Sequence, residues 1–174
     1  MALIKTLKGI SPRFGNDCFL ADTAVIIGDV IMGDNCSIWF NSVVRGDVHS
    51  IRMGNKVNVQ DGAVIHCTYR KAPVSIGNNV SIAHNAVVHG CTIHDNVLIG
   101  MGAVIMDHVV IESNSVVAAG AVVMDNTLVE SGSVYAGVPA KKVKIIDKSL
   151  LDGQIDRIAN SYIIYSGWYK DEQK

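Results

Sequence analysis

Three histidines, His66, His84 and His89, stand among small and aliphatic residues in the segments "NVQDGAVIH" (58–66) and "SIAHNAVVHG" (81–90). Neutral imidazoles are common ligands of zinc and related ions, and three of them leave a fourth position open for water. Polar groups lie nearby in the chain: Asn58, Gln60 and Asp61, and Arg45 with Asp47 in "RGD". Side chains of these kinds orient ligands and hydrogen-bond water. A competing triplet, His84, His89 and His94, has the even spacing H-x4-H-x4-H. Which histidines can meet depends on the elements that carry them.

Those elements follow from a period of six. Stepping by six from Ile93 gives Ile99, Ile105, Ile111, Val117, Val123, Val129 and Tyr135, and the same step upstream gives Leu20, Ile26, Met32, Ile38 and Val44. Met53, Val59, Ile65, Ile76, Ile82 and Val88 fill the middle. Six matches neither a helix nor a plain strand; it matches a short strand plus a turn, repeated. Gly-Asp-Asn (33–35), Gly-Asn-Asn (77–79) and Asp-Asn (95–96) supply turn residues. Pro12, Pro73 and Pro139 fall outside the regular repeats, and aromatics are 6% of the chain, as a narrow interior requires. The spacing resembles the left-handed parallel β-helix of the hexapeptide-repeat superfamily, a triangular prism of about 18 residues per coil. It predicts an all-β fold with an N-terminal segment (1–19), a β-helix domain (20–140) of roughly six coils and a C-terminal extension (141–174). In that extension Leu151, Ile155, Ile158, Tyr162, Tyr165 and Tyr169 form an apolar stripe on an α-helix. Such a helix packs back along the prism or against a neighbouring subunit.

Naming the corners A, B and C in order from Leu20, and treating 50–52 and 67–75 as loops inserted within coils, Arg45, His66 and His89 each follow a B-corner aliphatic on successive coils. Stacked strands lie ~4.8 Å apart, so His66 and His89 are within reach of one ion. His84 falls at corner A, with Asp61 one level below and Gln60 beside it. A prism edge separates it from the other two, and three-fold packing of prisms would bring corner A of one chain to corner B of the next. His94 and His108 read as solvated turn residues.

With a net charge of −1, no basic stripe and no apolar run long enough to span a bilayer, the chain points away from nucleic acid and membrane and toward the cytoplasm. Cys18, Cys36, Cys67 and Cys91 include no CxxC pair and read as buried free thiols.

The "RGD", "NVQDGAVIH" and "HNAVVHG" segments together resemble the γ-class carbonic anhydrases, over essentially the whole chain. The resemblance implies a homotrimer in which His66 and His89 of one chain and His84 of the next bind zinc, or iron in some members. It implies attack of the metal hydroxide on CO2 to give bicarbonate. Gln60 and Asn58 would orient water or bicarbonate, and Arg45, Asp47 and Asp61 would form the ion-pair network that orders the site. Tyr162 would approach from the C-terminal helix. Two departures lower the expected turnover: Val48 stands where proficient members carry a glutamate, and "CTYRKAPVS" (67–75) has no acid to export the proton, leaving His49 as a substitute. Two alternatives use the same fold. One is an acyltransferase using acyl-CoA with a histidine base, to which "YAGVPAKKVK" is similar. The other is a trimeric scaffold with a vestigial metal.

Overall fold

The computed structural model describes residues 1–147, 149 and 151–172, with 151, 152, 171 and 172 described by backbone alone. The chain winds as a left-handed parallel β-helix of about seven turns, followed by one C-terminal helix. One face carries seven parallel rungs, from Phe19–Leu20 to Ser133–Ala136. Its inward residues are Leu20, Ile38, Val59, Ile82, Ile99, Val117 and Tyr135, paired coil to coil. The second face stacks Ile26, Val44, Ile65, Val88, Ile105 and Val123. The third stacks Met32, Met53, Ile76, Ile93, Ile111 and Val129. These are the residues that the step of six selects, so the A, B and C frame is the frame of the molecule. Each buried isoleucine contributes roughly 1.5–3 kcal/mol of apolar transfer, which makes the stacked interior the main source of stability.

The corners turn through Asn35, Asn79, Asn85, Asn96, Asn114 and Asn126, all at positive φ, a conformation that asparagine adopts at low cost. Neighbouring side chains tie one corner to the next. Asp34, Asn55, Asn78 and Asp95 each accept a hydrogen bond from the backbone amide of Asn16, Asp34, Asn55 and Asn78 respectively, at 2.6–2.9 Å.

Both inserted loops differ from expectation. Val43–Met53 is one continuous strand. Its register against Val25–Met32 shifts where Gly28 pairs with Gly46 but Val30 pairs with Ile51, so the extra residues bulge at 47–50 rather than 50–52. Ile51 is fully buried, and the period-2 pull of its side chain keeps that stretch in the sheet. The second insertion ends earlier than position 75: Thr68 bridges Ala72 in a tight reversal, and Val74–Ile76 is already strand, paired with Ile51–Met53. Ahead of residue 20, Leu3–Lys5 adds a parallel strand to Val25–Ile27.

Past the last coil, Lys141–Ile145 folds back antiparallel on Ser133–Ala136, a strand with no trace of the six-residue period. A π-helical turn, Leu151–Asp156, then leads into the α-helix Arg157–Glu172. The helix runs back along face A. Ile155, fully buried, packs on Leu98, Val116 and Val134. At the other end Tyr162 and Tyr169 meet Phe19, Trp39 and Phe40, and Lys170 Nζ donates to the Asp17 carbonyl at 2.7 Å. The side chain of Leu151, the first member of the expected stripe, lies outside the described residues. No helix among the described residues is long and apolar enough to cross a membrane.

Candidate metal centre

Corner B is built by register. His66 pairs directly with His89 on the next coil, and the bulge at 47–50 brings Asp47 over the same corner. A continuous chain of contacts results. Arg45 Nη1 donates to Asp47 Oδ2 at 2.5 Å, and His66 Nε2 donates to Asp47 Oδ1 at 3.0 Å. On the other side His89 Nδ1 donates to Asp107 Oδ1 at 2.6 Å, and Thr68 Oγ1 donates to Asp107 Oδ2 at 2.5 Å. The remaining nitrogens, His66 Nδ1 and His89 Nε2, face each other at 3.1 Å.

That pairing has a chemical consequence. A carboxylate accepts only, so Asp47 and Asp107 hold the imidazole protons on the far nitrogens and leave two lone pairs facing each other. Two lone pairs at this distance repel unless a cation lies between them. Tetrahedral zinc with ~2.0–2.1 Å bonds needs its nitrogens roughly 3.3 Å apart, so the donor set fits such an ion after a shift of a few tenths of an ångström. Burial pushes the carboxyl of Asp47 up, but hydrogen bonds from Arg45 and His66 outweigh it and hold the group below the usual carboxylate range. Asp107 is also raised by burial and lowered further by Thr68 and His89. Both therefore stay ionised as proton acceptors. Cys67, next to His66, is pushed up to about 11 by burial, so it offers a thiol rather than a thiolate. Gly90, at positive φ beside His89, leaves the space Asp107 needs; a Cβ there would collide with that carboxylate and with Ala72.

Asp107 is absent from the residues that the sequence motifs point to. Its signal lies in the coil frame, where it stands two residues after Ile105 and so one coil beyond His89's turn. The 67–75 segment has no acid of its own, but its Thr68 reaches this one.

Corner A holds the third histidine. His84 Nδ1 lies 3.0 Å from Asp61 Oδ2, and its Nε2 lies 3.4 Å from the Tyr162 hydroxyl. Beside it, Gln60 Nε2 donates to Asn58 Oδ1 at 3.0 Å and Asn58 Nδ2 to Ser81 Oγ at 2.8 Å. Gln60 is only 4% exposed. Its amide is oriented by this relay, which leaves Oε1 as the end without a protein partner among the described residues. Asp61 touches His84 of its own chain; Arg45 and Asp47 belong to the other corner. No contact among the described residues joins His84 to His66 or His89, and no three His, Cys, Asp or Glu side chains of the described chain converge to hold an ion. His94 and His108 are both exposed, His108 in a turn. Val48 packs on the core, and His49 Nδ1 accepts from the Ser50 amide at 2.8 Å.

The family model for bacterial transferase hexapeptides (six repeats) matches residues 11–46 and 90–125. A carbonic anhydrase of Geobacillus kaustophilus is 41% identical over 172 residues, covering 99% of this chain and 93% of its own. The chain belongs to the γ-class carbonic anhydrase-like proteins of the hexapeptide-repeat superfamily. The mitochondrial γ carbonic anhydrase 2 of Arabidopsis thaliana is 42% identical over 88% of this chain, which spans 56% of the plant protein's length. Among solved structures, a Bacillus cereus protein described as an acetyltransferase superposes with a TM-score of 0.93 at 33% identity, covering 98% of both chains. Carbonic anhydrase-like proteins thus share their backbone with proteins described as transferases, and the site residues have to distinguish them.

Proposed function

We propose that this γ-carbonic anhydrase-like protein is a cytoplasmic homotrimer in which His66 and His89 of one chain and His84 of the next hold one zinc or iron ion, and that it hydrates CO2 to bicarbonate. One observation carries the reading: each of the three histidines has one ring nitrogen on its own carboxylate (Asp47, Asp107, Asp61) and turns the other away from it. That is the arrangement by which second-shell acids orient metal-ligating imidazoles. A bound ion would supply a Lewis acid that lowers the pKa of water far enough for attack on CO2 near neutral pH.

The protein groups divide the remaining work. Gln60 Oε1, oriented through Asn58 and Ser81, accepts a hydrogen bond from the attacking water and so directs its lone pair. Tyr162 is pushed up to about 12 by burial, with Asp61 and Tyr165 nearby, and keeps its proton at neutral pH as a donor to bicarbonate oxygen. Arg45 holds Asp47, which holds His66. Hydration releases a proton, and neither Val48 nor the 67–75 segment carries an acid to receive it, so proton export limits turnover.

The test is metal content of the tag-free protein together with stopped-flow CO2 hydration before and after chelation. About one ion per chain with chelator-sensitive hydration supports the reading. Metal without hydration, or hydration that survives chelation, overturns it. The second reading, acyl transfer from acyl-CoA, is favoured by the likeness to the Bacillus cereus protein and requires turnover that is indifferent to chelation.

A further inference from the structure

Of the four free cysteines, Cys36, Cys67 and Cys91 are buried, but Cys18 is partly exposed, against the expectation of four buried thiols. Cys18 and Cys36 stand two residues before the inward Leu20 and Ile38. Those two residues pair in register, so the cysteines stack on successive coils of face A. Further along, the same position carries Val57, Val80, Val97, Ser115 and Ser133, which confines the stacked sulfurs to the first two coils. The Phe19 amide donates to the Cys36 carbonyl at 2.9 Å and holds the two backbones one rung apart. A rung is ~4.8 Å, within the roughly 4.4–6.8 Å between Cα atoms that a disulfide spans. Both thiols point along the prism in the same direction, Cys18 donating to the Gly33 carbonyl and Cys36 to the Gly54 carbonyl, each at 3.2 Å. Rotation of Cys36 about χ1, releasing Gly54, turns its sulfur toward Cys18. Cys18 can move to meet it, because it enters the terminal rung of this face, which has a neighbouring strand on one side only. It also lies at the edge of face A opposite to His84, which follows Ile82 by two residues, and so outside the contact proposed between chains.

We propose that Cys18 and Cys36 form a hydroperoxide-sensitive thiol pair, in which Cys18 is oxidised first and Cys36 resolves it into a reversible disulfide. Exposure assigns the order. Cys18 meets solvent, whereas Cys36 is 1% exposed and reacts only with what Cys18 presents to it. Electrostatics favours the same order. The Cys36 thiol beside it and the Lys170 ammonium stabilise the Cys18 thiolate, against burial and the Asp34 carboxylate, and bring its pKa down to about 7. Burial pushes Cys67 up to about 11 and Cys91 higher still, so neither competes as a thiolate. In the first step the Cys18 thiolate attacks one oxygen of a hydroperoxide. The S–O bond forms as the O–O bond breaks, and the leaving oxygen takes a proton from solvent. In the second step the Cys36 sulfur attacks the Cys18 sulfur. The S–S bond forms, the S–O bond breaks, and the hydroxide departs as water with the proton of Cys36. Two electrons pass from the thiols to the hydroperoxide, and an external thiol returns them by exchange.

The experiment treats the full, tag-free chain, reduced and then freed of reductant, with a small excess of hydrogen peroxide. Each chain should lose two of its four thiols and two hydrogen atoms of mass, and dithiothreitol should restore both. Asp22, Asp29 and Asp34 lie between the cysteines, so cleavage at aspartate separates them and the linked peptides identify the bridge. Cys36→Ser should stop the reaction at a sulfenic acid on Cys18 that dimedone traps. Cys36→Val, the residue type at position 57 on the next coil, takes its place if the serine variant does not fold. Cys18→Ser should leave the remaining thiols reduced at the same peroxide dose. Before oxidation, iodoacetamide should alkylate Cys18 in the native protein at least about tenfold faster than Cys67 or Cys91. Survival of all four thiols, a bridge between chains, or irreversible oxidation of Cys18 with Cys36 still reduced overturns the pair. Alkylation of Cys18 no faster than that of Cys91 overturns the order of reaction.

Discussion

The two histidine corners are made of the same repeat and held very differently. At corner B the imidazoles sit on paired strands, 18% and 33% exposed, in a run of contacts from Arg45 through Asp47, His66, His89 and Asp107 to Thr68. At corner A, His84 stands on a turn, 40% exposed, against an Asp61 that is 41% exposed. Corner B is preorganised by main-chain hydrogen bonding of the coils that carry it. Corner A depends on one acid and on a tyrosine delivered by the C-terminal helix. The lesson is that a regular scaffold can make half of a site rigid and leave the other half to be set by what packs against it.

The strongest way to break the comparison is to remove each half separately. His66→Ala, His89→Ala or His84→Ala should each reduce metal affinity by more than about 100-fold, above the range of a lost outer partner. Mixed trimers then separate the corners. Chains with His84→Ala keep a whole corner B and chains with His66→Ala keep a whole corner A, so co-assembly should restore about one site in three per mixed trimer. Metal analysis showing no recovery in verified mixed trimers would sink the shared site, as would light scattering that finds a metal-loaded monomer.

Next in size are the outer carboxylates. Asp107→Asn should weaken metal binding by about 10–100-fold, because the amide can offer His89 a donor where an acceptor is needed. Asp61→Asn should cost less, near the lower end, because solvent can replace an exposed partner. Competition with a chromogenic chelator gives both numbers, and equal losses would erase the distinction between the corners. Smaller again, Tyr162→Phe should leave metal content unchanged and lower hydration a few-fold, whereas loss of metal would make the hydroxyl a structural prop for His84. The mildest effect is kinetic. Turnover of the unaltered protein should rise with imidazole buffer concentration, since a mobile base supplies the proton transfer that Val48 and the 67–75 segment do not.

The repeat frame is legible in the sequence because each inward position recurs with the same chemistry, so Ile65 and Val88, once 67–75 is set aside as an insertion, place His66 and His89 side by side. The bulge at 47–50 is not, because pairing stops at Gly46 and resumes at Ile51 within one strand, and the apolar alternation of Ile51 and Met53 resembles a loop that has lost the six-residue step. Asp107 is hidden by sequence distance: it meets His89 across 18 positions, and an acid in a turn ordinarily faces water. A groove of about 550 Å³ beside the C-terminal helix, lined by Leu98 and Val116 and by Ile158 and Tyr165, is unreadable for a further reason. It is the absence of bulk at Ala83, Gly100 and Ala118, which acquires meaning only when a helix is laid over them.

The strand Lys141–Ile145 bears on a hazard that all parallel solenoids share. Each coil is a template for the next, so an uncovered terminal coil invites another molecule to continue the stack into a filament. By reversing direction against Ser133–Ala136, this segment presents the wrong polarity for continuation and sets Lys141 and Lys144 along the exposed border, with Lys142 paired to Glu130. Like charges repel a second copy approaching end-on. Shortening the chain before residue 141 should therefore promote end-to-end association, which light scattering would detect.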